Sequence, residues 1–163
     1  MIKVMIVDDQ RLLLDLLSHM LKNTPDIDVV ACGKDGFQAI ALAQEFQPDV
    51  ILMDIQMPNC DGIEATRRIK QHHPDMKILI LSSSKEDQDV HQALTGGADG
   101  YVLKNIGENE LVSVIRSVYA NMEVLHEDVK SAALRSRMGE FEEGVGKTIV
   151  VEGVRVEIGR AHV

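Results

Sequence analysis

Five short, nearly unbroken apolar runs, each followed by a longer stretch with helical spacing, constrain this chain more than any other feature of it. The runs are Lys3–Val7, Ile27–Cys32, Val50–Met53, Lys77–Leu81 and Gly100–Leu103. A strand with one wet face alternates apolar and polar residues. Strings such as IKVMIV and ILIL do not alternate, and they suit strands covered on both faces of a parallel sheet. Helices are predicted between them at about Gln10–Lys22, Phe37–Phe46, Ile63–His72, Lys85–Thr95 and Glu108–Asn121. The first carries Leu13, Leu14, Leu17, Met20 and Leu21, a stripe with helical period. Pro25 marks its end, because proline disfavours helix in the residue before it, and Gly96-Gly97 caps the fourth. Repeated β-α units of this length predict an α/β class fold: a doubly wound, five-stranded parallel sheet with helices on both faces.

Composition agrees with one such domain. The chain has 163 residues, 45% apolar and 26% charged, enough to bury a sizeable core. Aromatics are only 3% and tryptophan is absent, so the core has to be aliphatic. The formal net charge of −9 argues against nucleic-acid binding through a broad basic surface. Cys32 and Cys60 have neither a zinc spacing nor a disulfide framework and read as small structural residues in a reducing compartment. No signal peptide or membrane-length apolar stretch is found, so a cytoplasmic protein with no membrane partner is expected.

The acids are placed informatively. Asp8 and Asp9 follow the first strand and Asp54 the third. In open α/β sheets, sites gather beyond the carboxyl ends of strands where the strand order reverses. With the order 2-1-3-4-5, strands 1 and 3 are neighbours and the three carboxylates converge. Uncompensated, they repel and raise one another's pKa. A hard divalent cation resolves that conflict, and Mg²⁺ takes carboxylate, water and phosphate oxygens. One carboxylate is then placed to act as nucleophile toward a phosphoryl group. Ser82 and Lys104 end the fourth and fifth strand runs on the same rim. A hydroxyl can donate to a phosphoryl oxygen and an ammonium can neutralise its charge. Each residue alone is weak; the ordered set on one rim is specific.

The strings VMIVDDQ, DVILMDIQMPNCDG, ILILSSS and GADGYVLK resemble the response-regulator receiver family over roughly residues 1 to 121. The resemblance implies the flavodoxin-like order 2-1-3-4-5. It also implies a role for each matching residue: Asp54 as phosphoacceptor, Asp8, Asp9 and the backbone carbonyl of Gln56 as Mg²⁺ ligands beside Asp54, Lys104 as the phosphate-pairing cation, Ser82 as the switch hydroxyl and Tyr101 as an aromatic whose rotamer follows activation. Ser83 and Ser84 follow Ser82 directly, and one residue of register would move the switch role to Ser83. Pro58 and Gly62 match the family's loop after the phosphoacceptor. Asn105 stands where many receivers carry proline, which removes the expectation of a cis bond there.

The family implies a histidine kinase as phosphodonor, self-phosphorylation and self-dephosphorylation rather than turnover of outside substrates, and homodimerisation through the face of the fourth helix, fifth strand and fifth helix. GADGYVLK is similar to the NarL/FixJ branch, in which a DNA-binding helix-turn-helix domain follows. None is visible here, so DNA binding is expected only through an output domain outside this chain. A stand-alone receiver acting by protein–protein contact is the alternative. An aspartate-nucleophile phosphatase would carry a second Asp two residues after the first, where Gln56 stands. A mononucleotide-binding domain would need a Gly-rich turn where Asp8-Asp9 stands.

The domain reading is a receiver over 1–121, a linker or extra helix over 122–138, with a short helix at about His126–Met138, and a C-terminal extension over 139–163. The extension reads as a possible β-hairpin turning at Glu152-Gly153, or as a vector-derived or frame-shifted tail. Within it, GVGKT at Gly144–Thr148 is not a P-loop, because the glycine required five residues before the Gly-Lys pair is Phe141.

Overall fold

In a computed structural model of the chain, residues 1–138, 148–152 and 155–158 can be described, the last two segments and residues 137–138 by their backbone alone. The first five β-α units are β1 (Ile2–Val7), α1 (Arg11–Lys22), β2 (Ile27–Gly33), α2 (Gly36–Phe46), β3 (Val50–Met53), α3 (Gly62–His72), β4 (Lys77–Ser82), α4 (Asp87–Thr95), β5 (Gly100–Leu103) and α5 (Glu108–Tyr119). The strands lie in the expected order, β2-β1-β3-β4-β5, all parallel.

The pleat divides the apolar runs between two cores. Met5 and Val7 face one side with Ile51, Met53, Ile78, Ile80 and Tyr101. Val4 and Ile6 face the other with Val50, Leu52, Leu79, Leu81 and Val102. This is why these runs do not alternate: both faces of β1, β3, β4 and β5 are dry, whereas the edge strand β2 is largely half-buried or exposed. On the second face α1 contributes Leu14, Leu17 and Leu21, and α5 contributes Leu111, Ile115 and Val118. Burying each such side chain contributes about 1.5–3 kcal/mol. Helix starts follow local chemistry. Asp35 caps α2 by accepting from the Gln38 amide at 2.8 Å, and Asp61 caps α3 by accepting from the Glu64 amide at 2.8 Å. Helix α4 ends at the expected glycines, with Gly97 at a φ of 107°.

The sheet does not stop at five strands. Glu123–His126 forms a sixth, β6, parallel to β5, with Gly100 opposite Val124 and Tyr101 opposite Leu125. Gly100 permits the approach, since a Cβ there would lie 2.8 Å from the Val124 carbonyl oxygen. A short 3₁₀ turn, Glu127–Val129, leads into α6 (Lys130–Met138), which packs on α4. The helix expected at about His126–Met138 is therefore a strand end, a turn and a shorter helix. Two further strands extend the sheet: β7 (Thr148–Glu152) parallel to β6, and β8 (Arg155–Ile158) antiparallel to β7. The hairpin's turn residue Gly153 and most of the GVGKT string lie outside the described residues. No helix among the described residues is long and apolar enough to cross a membrane.

Candidate functional site

Three strand ends meet at one rim. β1 hands over to Asp8 and β3 to Asp54, and the two strands are neighbours in register, with Val7 opposite Met53. Asp8 is 2% exposed and Asp54 6%, whereas Asp9 faces solvent. One carboxylate oxygen from each of the three lies within 4.8 Å of the others. Lys104, just past β5, reaches across with its Nζ 2.9 Å from Asp8 Oδ2 and 3.4 Å from Asp54 Oδ1.

The first oxygen of Asp54 is thus spoken for. Oδ1 accepts from the Ile55 amide at 2.9 Å as well as facing Lys104. Among the described residues Oδ2 has no hydrogen-bond partner, which leaves it the uncommitted oxygen of the carboxylate. Burial, then the neighbouring Asp8 charge, pushes the Asp54 carboxyl above its ordinary pKa, against the pull of Lys104. Burial alone would lower Lys104. The hydrogen bond that Lys104 donates to Asp8, with the charges of Asp54 and Asp8, outweighs it, and the ammonium is held up.

The loop after Asp54 closes tightly on α3. The Gly62 amide donates to the Ile55 carbonyl at 2.8 Å, and a Cβ on Gly62 would lie 1.8 Å from the Asp54 carbonyl oxygen. Only glycine lets the start of α3 press against the residue that carries the carboxylate. Gln56, Met57 and Pro58 are on this loop and, with Asp9 and Asp89, line a cleft beside the acids.

On the far side, Ser82 is the last residue of β4 and 2% exposed, while Ser83 is exposed. The Ser82 hydroxyl accepts from the Ser84 amide at 3.1 Å. Ser84 then ties two more groups together: its Oγ donates to Asp89 Oδ2 at 2.6 Å, and its carbonyl accepts from the Tyr101 hydroxyl at 2.7 Å. Tyr101 is fully buried, and that burial pushes its phenol up to about 12. The structure therefore brings Asp8, Asp9, Asp54 and Lys104 into direct contact or near it. Ser82 and Tyr101 are linked to each other through Ser84. Sequence reasoning named Ser84 only as a neighbour of Ser82, without its bonds to Asp89 and Tyr101, and missed Asp89. Ser84 is the third of three identical residues, and Asp89 reads as an ordinary acid in a first helical turn, so neither carried a signal.

A parallel α/β sheet with three carboxylates, a lysine and a buried hydroxyl at the carboxyl ends of β1, β3, β4 and β5 defines a phosphoryl-accepting switch domain in class. The model of the response regulator receiver domain matches residues 4–116, and the chain belongs to that family. It is 41% identical over 137 residues to the response regulator protein VraR of Staphylococcus saprophyticus, covering 84% of this chain and 65% of that protein. It is 38% identical over 134 residues to the transcriptional regulatory protein DegU of Brevibacillus brevis, covering 79% of this chain and 57% of that one. The chain thus spans less than two thirds of these curated relatives. Among solved structures, a LuxR-family two-component response regulator from an Aurantimonas species superposes with a TM-score of 0.73 at 30% identity, over 86% of this chain and 98% of that one. The response regulator domain of Thermotoga maritima CheB does so with a TM-score of 0.68 at 35% identity, over 73% and 96%.

Proposed function

We propose that Asp54 accepts a phosphoryl group from a phosphohistidine on a partner kinase and that the added charge switches what this domain binds. The observation that carries the reading is the convergence of Asp8, Asp9 and Asp54 within 4.8 Å, with Asp54 Oδ1 held by the Ile55 amide and Lys104 and Oδ2 making no hydrogen bond among the described residues. In the transfer, the N–P bond of the donor breaks as the Oδ2–P bond forms, and the imidazole nitrogen leaves with the electron pair. Lys104 stays within reach to offset the phosphoryl charge, and Ser82 offers its hydroxyl to a phosphoryl oxygen.

The donor set suits Mg²⁺. All three groups are hard carboxylates, they converge within 4.8 Å, and Lys104 pairs with Asp8 and Asp54 but not with Asp9. Asp8, Asp9 and Asp54 would hold the ion, with the Gln56 backbone carbonyl as a further ligand. When bound, Mg²⁺ supplies charge neutralisation for the incoming phosphoryl oxygens. Such chemistry acts on the protein itself rather than on a stream of substrates.

Residues 1–121 are read as the receiver unit, 122–138 as a linker or extra helix, and 139–163 as a C-terminal extension, of which β7 and β8 continue the same sheet. The likeness to VraR and DegU supports a role in transcriptional control, exercised through a DNA-binding domain that would be joined to a receiver of this kind. A cytoplasmic location for this chain, a histidine kinase partner and a phosphorylation-dependent homodimer complete the reading.

Intact-mass spectrometry after acetyl phosphate with Mg²⁺ tests it. One added phosphate is expected, labile to hydroxylamine, absent without Mg²⁺ and absent in Asp54→Asn. Equal phosphorylation of that variant would remove Asp54 from the central role.

A further inference from the structure

We propose that α6 is a latch on α4 and that phosphorylation at Asp54 loosens it through Ser84; the proposal rests on the phosphoacceptor reading above. The two helices meet through small side chains. Ala132 and Ala133 of α6 are buried in the same cluster as Val90 and Ala93 of α4. Alanine buries little apolar area, so this contact is weakly held compared with the leucine-rich docking of α1. Two polar contacts at the edge finish it. The Arg135 guanidinium donates through Nε and Nη2 to Asp87 Oδ2 and Oδ1 at 2.6 and 2.7 Å, and Ser136 Oγ lies 2.6 Å from His91 Nδ1. Asp87 and His91 are one turn apart on α4, and Arg135 and Ser136 are adjacent on α6.

The same turn of α4 is tied to the rim. Asp89, between the two clasp residues, accepts from Ser84, and Ser84 is bonded to Ser82 and Tyr101. Asp87, which holds Arg135, is the first residue of α4 and follows that loop directly. If the Ser82 hydroxyl turns to a phosphoryl oxygen, the Ser84 amide loses its present geometry, and the strain falls on Asp89 and the first turn of α4. A bidentate fork tolerates little displacement of its carboxylate. Arg135 and Asp87 are both more than half exposed, so their pairing is the kind that a modest push can break. A latch that is to open must be held loosely, and this one is.

Hydrogen exchange of the full chain, read by peptide mass alongside the intact mass of the same sample, tests the proposal. With acetyl phosphate and Mg²⁺ in excess, exchange of the α6 amides should rise about two- to fivefold, the scale of an exposed ion pair. Arg135→Ala should show that rise without phosphate, and the swap Asp87→Arg with Arg135→Asp should restore protection. Ser84→Ala should take up the phosphate yet leave α6 exchange unresponsive to it. A chain that carries the phosphate on Asp54 while α6 exchanges as before would overturn the latch and spare the phosphoacceptor reading. A chain that takes up no phosphate would overturn both.

Discussion

Lys104 Nζ stands 2.9 Å from Asp8 and 3.4 Å from Asp54, so a single half-buried cation holds together two carboxylates from different strands. Without it the pair is two like charges in a pocket that burial has already made unfavourable for ions. Lys104→Met is expected to lower stability by about 1–3 kcal/mol in metal-free buffer. Added Mg²⁺ should then stabilise the variant more than it stabilises the parent chain. Urea denaturation with and without Mg²⁺ measures both, and an equal response to the ion would count against the pairing.

Asp54→Asn should stabilise the metal-free chain by about 0.5–2 kcal/mol at neutral pH. The sign follows from linkage. The folded-state pKa of Asp54 is raised, so the folded chain holds this proton more tightly than the unfolded chain does. Stability from this group is therefore present at low pH and lost as pH rises through the raised value. The advantage of the variant should be largest at neutral pH and shrink as pH falls toward the ordinary carboxylate range. Denaturant midpoints of the two chains across that window provide the check, the difference between them being what matters because other carboxylates also titrate.

Gly62→Ala should be costly despite the small change. The new methyl group would meet the Asp54 carbonyl oxygen at 1.8 Å, and backbone rather than a flexible side chain would have to move. A loss of about 1–3 kcal/mol is expected from overpacking. Phosphorylation by acetyl phosphate should slow as well, since the displaced residue carries the nucleophile. A thermal melt together with the rate of phosphate uptake would show both effects; a variant as stable as the parent would sink the claim.

Tyr101→Phe should leave phosphate uptake intact and cost about 1 kcal/mol, from the lost bond to the Ser84 carbonyl. It should also change behaviour in alkali. The phenol's pKa is raised to about 12 in the folded chain, so it contributes stability up to about pH 10 and loses it as pH rises toward 12. The parent should lose stability across that window more steeply than the variant does. Parallel slopes would argue that Tyr101 is more exposed than its burial indicates.

Much of this molecule was written in local pattern. Runs such as IKVMIV and ILIL could only be strands dry on both faces, and the acids after β1 and β3 could only meet if those strands were neighbours. The sixth strand was not legible. Glu123–His126 is four residues long, and Val124 and Leu125 show no period of their own. What makes them a strand is the open edge of β5, where Gly100 leaves room for a backbone to approach.

The site divides in the same way. Sequence by itself determined the chemistry available, because an acid pair, an aspartate, a serine and a lysine at successive strand ends have few other uses on one rim. Tertiary structure alone decided three matters. It chose Ser82 over Ser83 for the rim, since the strand buries one and exposes the next. It left Oδ2 of Asp54 open by committing Oδ1 to Ile55 and Lys104. And it joined Ser84 to Asp89 and Tyr101, residues 5 and 17 positions away. Strand and helix are set by periods a few residues long. A hydrogen bond between a loop, a helix start and a neighbouring strand depends on where the whole sheet places them.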